Sequence, residues 1–252
     1  MTNSQWRGVG LLAIALLQAQ SQLTDPELEY PAYTPKPTDL ILSRSKYMEQ
    51  LQGFWLTQCI ANWTGLITEM DKIEPPFYTD ENWDGLDERN IWGNFISTTD
   101  TIIEYYFVRN GEVWAADDDT DIEYMYQHLM DVNNVSMLTP EQIRDGWLHH
   151  IYSNEDAPNN ENFLWVSNET AYYLMLDGML PPATSAPDNN SHYEMIDAQL
   201  TTEIFGLFAP TRPDIALRMS HMPIRTTANG NAKWAAEFYV VMYSLASYVE
   251  NE

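Results

Sequence analysis

The sequence predicts an all-α protein, a compact domain of roughly seven or eight amphipathic helices with at most one small β-hairpin. Apolar residues recur at three- and four-residue steps over most of residues 45–250, which is the period of one helix face. A short hairpin signal interrupts this pattern where Asn110-Gly111 separates two segments rich in β-branched and aromatic residues, 102–108 and 112–114. Helix-start and helix-stop residues bound the other periodic segments, which argues against a sheet-based fold.

The first helices can be placed from their apolar stripes and their capping residues. A helix is predicted from Ser45, because Met48, Leu51 and Trp55 continue one stripe. Residues 117–130 form the next predicted helix. Thr139 and Gln142 have the spacing of a capping box around Pro140, so a third helix is expected to begin there.

Four further helices are predicted toward the C-terminus. Ser167 is expected to cap a short helix that ends at Asp177-Gly178, and one helix is expected to carry Ile196, Leu200, Ile204 and Phe208. Another is expected over 213–222, and the last over 234–249. Because no C-cap glycine or polar tail follows the last helix, we expect the domain to be incomplete at its C-terminus.

Charge and composition exclude several classes of function. The 252 residues include 37 acidic and 12 basic side chains, for a net charge of −25. Aromatic residues make up 13% of the chain, which argues against a disordered acidic tail. The charge argues against nucleic acid and anionic membrane surfaces as partners, and no apolar run has the length of a membrane span. Cys59 is the single cysteine, which excludes an internal disulfide and a cysteine-based zinc site.

The N-terminal region is typical of a targeting segment followed by a linker. Arg7, the apolar run 8–17 and the small residues around Ala19 have the order of a secretory signal peptide, which we assign to residues 1–22. We therefore expect a secreted or periplasmic protein, with a buried first helix as the alternative. Residues 23–44 carry repeated prolines and are predicted to form a linker, and residues 45–252 form the helical domain.

The densest polar cluster is 117–121, in which every residue except Thr120 is an aspartate. Carboxylates this close repel one another unless a cation neutralises them, and oxygen-only ligands select hard cations such as Mg²⁺. The spacing does not fit an EF-hand, because Ile122 stands where that loop needs glycine. Aspartates at a helix start also bind free backbone N–H groups and suit the helix dipole. The cluster therefore has two alternative explanations, a metal site and an acidic helix cap.

Two segments together resemble the ADP-ribosylglycohydrolase family. The first is Ala61-Asn62-Trp63-Thr64-Gly65 with Glu69 four residues later, which is similar to the small-residue first helix of that family and its glutamate. The second is Asp117-Asp118-Asp119-Thr120, which is similar to the Thr-Asp-Asp-Thr metal motif at a helix start. The similarity runs from about Tyr47 onward. It implies an all-α fold that holds two Mg²⁺ ions and cleaves the bond between ADP-ribose and a side chain.

The resemblance also implies roles for individual residues. Asp117, Asp118 and Asp119 are expected to ligate metal, and Glu69 is expected to be the catalytic acidic residue near the scissile bond. Asp197 and His221 lie in segments that look like the mid-chain helix and the Thr-His segment of the family, and they are expected to bind substrate.

This chain departs from the family pattern at several positions. Asn62 replaces an aspartate, and Asp117 replaces the first threonine of the metal motif. The family takes its other metal ligands from a late Asp-x-Asp motif, but no aspartate follows His221 here, so only half of the ligand set is present.

Two classes of function follow from the sequence. The first is a metal-dependent hydrolase whose partner is an ADP-ribosylated substrate. The alternative is a catalytically inactive, secreted helical binding or structural protein on the same scaffold.

Overall fold

A computed structural model of the chain describes residues 34–65, 118–157, 160, 162 and 164–248. In these residues the protein is all-α, with helices and no strand, which confirms the predicted fold class. The predicted hairpin at 102–114 lies outside the described residues. Of the helices described, none is long and apolar enough to cross a membrane.

Eight α-helices and one 3-10 helix are described along the chain. Their bounds are α1 Arg44–Gly65, α2 Asp118–Asn133, α3 Pro140–His150, α4 Val166–Leu176, the 3-10 helix Ala183–Ser185, α5 Asp197–Leu200, α6 Ile204–Phe208, α7 Pro213–Thr227 and α8 Gly230–Ala246. The chain divides into two compact units, a smaller one over 43–121 and a larger one that contains 122–252. The first turn of α2 therefore belongs to the smaller unit, and the rest of α2 belongs to the larger unit.

Helix α3 begins where the sequence predicts. The Thr139 hydroxyl accepts from the backbone N–H of Gln142 at 3.2 Å, and the Gln142 side chain accepts from the backbone N–H of Thr139 at 2.9 Å. With Pro140 in the first turn, this is a complete capping box.

Helix α4 begins differently from the prediction. Its N-cap is Trp165, and Ser167 lies inside the first turn as a fully buried helical residue. The Trp165 side chain offers no oxygen to the free N–H groups of the helix. An acceptor instead comes from Asp197, far along the chain, at 3.3 Å from the backbone nitrogen of Asn168.

The single helix predicted across 196–208 is instead two short helices, α5 and α6. The backbone N–H of Ile204 donates to the carboxylate of Glu123 at 2.8 Å, so it is not available for a bond to the helical carbonyl four residues before it. A buried side chain on α2 thus separates α5 from α6. Helix α7 also differs, because it continues past its predicted end to Thr227 with Pro223 inside it.

The core of the larger unit forms around α8, which packs against α5, α6 and α7. Gly206 on α6 permits a close approach, because a Cβ there would overlap the backbone carbonyl oxygen of Val240. The Ser244 hydroxyl donates to the carbonyl of Ala209 at 2.6 Å and fixes the same helix pair. The largest fully buried apolar side chains of this unit are Trp147, Tyr126, Phe205, Ile143, Met175, Ile204, Ile224 and Val240.

Candidate metal and substrate site

The acidic start of α2 is the strongest candidate site. Asp118, Asp119 and Asp121 lie in its first turn. Asp118 and Asp119 are half-buried, and Thr120, which follows them, is buried. Three negative charges near the positive end of the helix dipole are individually favourable there, at about 0.3–1 kcal/mol each. Their mutual repulsion opposes that gain, and a bound cation would remove it.

A hydrogen bond joins this acidic turn to α1. The Asn62 side-chain amide donates to the Thr120 hydroxyl oxygen at 2.8 Å, across 58 positions of sequence. Both residues belong to the smaller unit. The structure thus brings together the two segments on which the family resemblance depends, and it does so at the position where this chain has asparagine in place of aspartate. Asn62 supplies a neutral donor to the acidic turn, so it adds no further negative charge.

Glu123 lies two residues beyond the acidic turn and has a different environment. Its side chain is fully buried in the larger unit, where it accepts from the backbone of Ile204. A charged group is almost never fully buried without partners, because desolvation is costly. Glu123 therefore acts as a structural acceptor at the start of α6, a role that the sequence pattern of clustered acids does not reveal.

Asp197 is the first residue of α5, and its carboxylate is buried. Burial raises the pKa of Asp197 above its ordinary value, and the hydrogen bond from the Asn168 backbone partly offsets that rise. This contact is to the first turn of α4, so the carboxylate caps that helix start. The substrate-binding role expected of Asp197 stays a prediction.

The other predicted site residues divide into two groups. His221 is exposed on α7, beside the buried Ser220. Its predicted substrate contact also stays a prediction. Glu69 and Asp117 lie outside the described residues, so the structure places neither the predicted catalytic carboxylate nor the first predicted metal ligand.

The donor set can be compared with what Mg²⁺ requires. Adjacent carboxylates on α2 have the hard oxygen chemistry that Mg²⁺ prefers, and Mg²⁺ commonly takes one or two protein carboxylates while keeping several waters. Asp118 and Asp119 fit that chemistry. Among the residues that the structure describes, no three histidine, cysteine, aspartate or glutamate side chains are placed to hold a metal ion. Asp118 and Asp119 thus offer two candidate carboxylate ligands from one helical turn.

Sequence reasoning missed a cluster of three histidines where α2 and α3 meet. The His150 ring lies 5.1 Å from that of His128 and 4.7 Å from that of His149, centroid to centroid, and all three side chains are exposed. Burial and the two neighbouring rings lower the pKa of His150 below its ordinary value. The pair His149-His150 at the end of a predicted helix was the available signal, but the contact with His128 depends on how α2 and α3 pack.

No family model, no curated protein and no solved structure matches this chain.

Proposed function

We propose that this protein is a metal-dependent hydrolase that cleaves a glycosidic bond of ADP-ribose attached to a protein side chain or a similar conjugate. The observation that carries the proposal is the hydrogen bond between Asn62 and Thr120. It supports the proposal because the two segments that resemble the ADP-ribosylglycohydrolase family are distant in sequence and adjacent in the folded chain. A chance likeness of two separate segments does not require them to be in contact.

Each residue has a defined task in this proposal. Asp118 and Asp119, together with Asp117, would hold Mg²⁺ at the start of α2, and the hydrogen bond from Asn62 would orient the adjacent Thr120. When bound, Mg²⁺ supplies Lewis-acid chemistry that orients ribose hydroxyls and makes an attacking water more acidic. Glu69 would exchange a proton at the scissile bond as general acid or base.

The diphosphate of ADP-ribose must bind to a chain of net charge −25. Two arginines of the helical part already lie against neighbouring aspartates, Arg144 on Asp145 at 2.6 Å and Arg212 on Asp214 at 2.9 Å. Because these ion pairs are partly or fully exposed, each is worth little, and a phosphate can replace the aspartate at small cost. Arg225 donates to the hydroxyl of Ser185 at 3.2 Å, which holds its guanidinium in a defined position.

The test compares metal binding and hydrolysis in two matched double variants. D118N/D119N removes two charges from the acidic turn, and D131N/D188N removes two charges from exposed aspartates outside it. The first change creates an Asn-x-Thr sequon at position 118, so the proteins should be made in a host that does not glycosylate asparagine. Binding is measured by calorimetry with MgCl₂, and hydrolysis by release of free ADP-ribose from peptides ADP-ribosylated on arginine or serine.

We expect Mg²⁺ to raise the melting temperature of the unaltered protein relative to EDTA, since a ligand that binds only the native state stabilises it. D118N/D119N should lose that shift and any hydrolysis, and D131N/D188N should keep both. Without metal, D118N/D119N should melt slightly higher than the unaltered protein, because repulsion between carboxylates is relieved. Equal melting of the unaltered protein in Mg²⁺ and in EDTA would contradict the metal assignment.

The alternative is a catalytically inactive helical binding or structural protein on the same scaffold. One observation favours it, namely that the described residues contain no group of three histidine, cysteine, aspartate or glutamate side chains that could hold a metal ion. Mg²⁺ binding without release of ADP-ribose from any conjugate would support this alternative over the hydrolase. Export through residues 1–22 is a separate proposal, and secreted protein whose N-terminal sequence begins at Met1 would contradict it.

A further inference from the structure

Helix α8 carries a continuous apolar stripe on its exposed face. The stripe, called here the α8 stripe, consists of Trp234, Phe238, Met242, Leu245 and Tyr248, with exposed fractions of 63%, 58%, 40%, 48% and 53%. Steps of four, four, three and three residues keep these side chains on one side of a helix. The last of them, Tyr248, continues the helical path just past α8, where its backbone N–H donates to the carbonyl of Leu245.

The opposite face of α8 already has its partners. Ala236, Val240, Ser244 and Ser247 are buried, and Ser244 bonds to the α6–α7 connection. The helix is therefore fixed to its own unit by small residues, and the α8 stripe is a second apolar face on the same helix. A helix with apolar residues on two opposite faces is typical of a helix with partners on both sides.

The size of the α8 stripe fits a weak interface between two copies. Aromatic side chains bury about 150–250 Å² each when fully covered, so the exposed fractions of these five residues amount to roughly 550 Å². That lies at the upper end of the largest apolar patch on an ordinary monomer, about 300–600 Å². Two copies would together bury roughly 1,100 Å², just above the threshold of about 1,000 Å² for a specific interface.

The order of residues in the α8 stripe is self-complementary. Trp234 and Tyr248 lie seven positions to either side of Val241, and Phe238 and Leu245 lie three and four positions from it. An antiparallel pair of α8 helices with its two-fold axis at residues 241–242 therefore sets Trp234 against Tyr248 and Phe238 against Leu245 of the other copy. A two-fold interface requires this kind of symmetry, because the same patch must fit itself.

Charge also favours this helix as the contact between two strongly acidic chains. Within α8 the charged residues are Lys233 and Glu237, which pair with each other at 2.9 Å at the edge of the stripe. The helix is thus electrically neutral in a chain of net charge −25. Two copies that meet through α8 bring their least charged long helices together, and salt that screens the remaining repulsion should strengthen the contact.

We propose that the protein forms a weak two-fold dimer through an antiparallel pairing of α8 helices along the α8 stripe. The occupant of this surface is a second copy of the same chain. The area lies at the lower end of the range for specific interfaces, so the association should be weak and reversible. The proposal is independent of the hydrolase activity.

The first experiment is sedimentation equilibrium of the full chain at concentrations from about 1 to 200 µM, at low and high salt. We expect a monomer–dimer equilibrium that tightens as NaCl is raised. F238E places a charge at the centre of the stripe and should raise the dissociation constant at least about tenfold. L176E is the matched control, because Leu176 is similarly exposed on α4, and it should leave dimerisation unchanged. Circular dichroism and melting temperature verify that both variants fold.

The second experiment tests the antiparallel geometry by cross-linking on a C59S background, since Cys59 is the only native thiol. With a short bismaleimide, M242C should cross-link to itself at the two-fold axis. W234C should not, because two copies of residue 234 would lie roughly 21 Å apart along the helix axis. A mixture of W234C and Y248C chains should cross-link. Three outcomes would overturn the proposal. The first is a protein that stays monomeric at about 200 µM in high salt, and the second is an equal dissociation constant for the F238E and L176E dimers. The third is self-cross-linking of W234C when M242C does not cross-link to itself.

Discussion

Helices α3 and α4 both begin after an extended residue, but the backbone N–H groups of their first turns have different hydrogen-bond acceptors. The N–H groups at the start of α3 find acceptors within the four residues Thr139 to Gln142. Those at the start of α4 find one in Asp197, 29 positions from Asn168. Val166, the first residue of α4, has φ of 42°, which is unusual for a β-branched residue. A helix start can therefore be fixed by neighbouring sequence or imposed by the surrounding fold.

Two more helices use distant carboxylates in the same way as α4. Glu123 on α2 accepts from Ile204 at the start of α6, and Glu194 accepts from the backbone and side chain of Asn231 at the start of α8, both at 3.2 Å. Helix α8 also has a local cap, because the Asn229 side chain accepts from Gly230. Some of the many acidic residues in this chain thus serve as helix caps across the fold, an arrangement that suits the helix dipole.

The largest effect is expected at the most deeply buried of these carboxylates. Glu123→Ala should lower the free energy of unfolding by about 3 kcal/mol, because it leaves a cavity and removes the acceptor of a buried N–H group. Urea unfolding followed by circular dichroism measures the change. The control is E123Q, which keeps an oxygen for Ile204 and should lose less than half as much. Equal losses in the two variants would show that the hydrogen bond to Ile204 is not the reason for burial of Glu123.

A smaller effect is expected at Asp197. Asp197→Ala should cost about 1–2 kcal/mol at pH 7, because the buried backbone N–H of Asn168 loses its charged acceptor and keeps only the carbonyl of Trp165. The same urea experiment applies, and hydrogen exchange at the Asn168 amide should accelerate. Unchanged exchange there, with the loss of stability spread over the whole unit, would contradict a capping role.

The raised pKa of Asp197 gives a pH test of the same carboxyl. Because folding favours its protonated form, its contribution to stability is fully present below the ordinary pKa of 3.8 and is lost as pH rises through the raised value. Asp197→Asn cannot titrate. The stability of the unaltered protein relative to D197N should therefore rise as pH falls from 7 toward 4. A difference that does not change with pH, or changes in the opposite direction, would show that the pKa is not raised.

The local cap of α3 should matter less than the buried carboxylates. Thr139→Ala should cost about 1 kcal/mol, the usual value for loss of an N-cap hydroxyl. Thr139→Ser keeps the hydroxyl and should change the free energy of unfolding by only about 0.3 kcal/mol. Both are compared by thermal and urea unfolding, and a loss in T139S as large as that in T139A would point to the methyl group instead of the cap.

The smallest effect is expected at Glu194, which is exposed and shares its helix start with a local cap. Glu194→Gln should change the free energy of unfolding by at most about 0.5 kcal/mol, as is usual for surface positions. N229A, which removes the local cap of the same helix, is the comparison and should cost about 1 kcal/mol. If E194Q costs more than N229A, the distant carboxylate and not the local side chain fixes the start of α8.

Much of the helical architecture was predictable because its signals are local. The capping box at Thr139 and the apolar stripe of α1 place the starts of those two helices within a few residues of where they lie. The division of 196–208 into two helices was not predictable, because the break depends on Glu123 from a segment 81 positions away. The candidate site shows the same contrast. The acidic turn at Asp118 is visible in the sequence, and its hydrogen bond with Asn62 is not.

The sequence by itself determined that the chain is all-α, that it is strongly acidic, and that an aspartate-rich turn opens one of its helices. Helical period, capping residues and charge are properties of neighbouring positions, so they can be read without a fold. Only the tertiary structure decided which carboxylates cap helices that are distant from them in the sequence. That choice depends on burial, since a carboxylate loses its water when elements pack over it and must then accept hydrogen bonds from whatever backbone lies beside it.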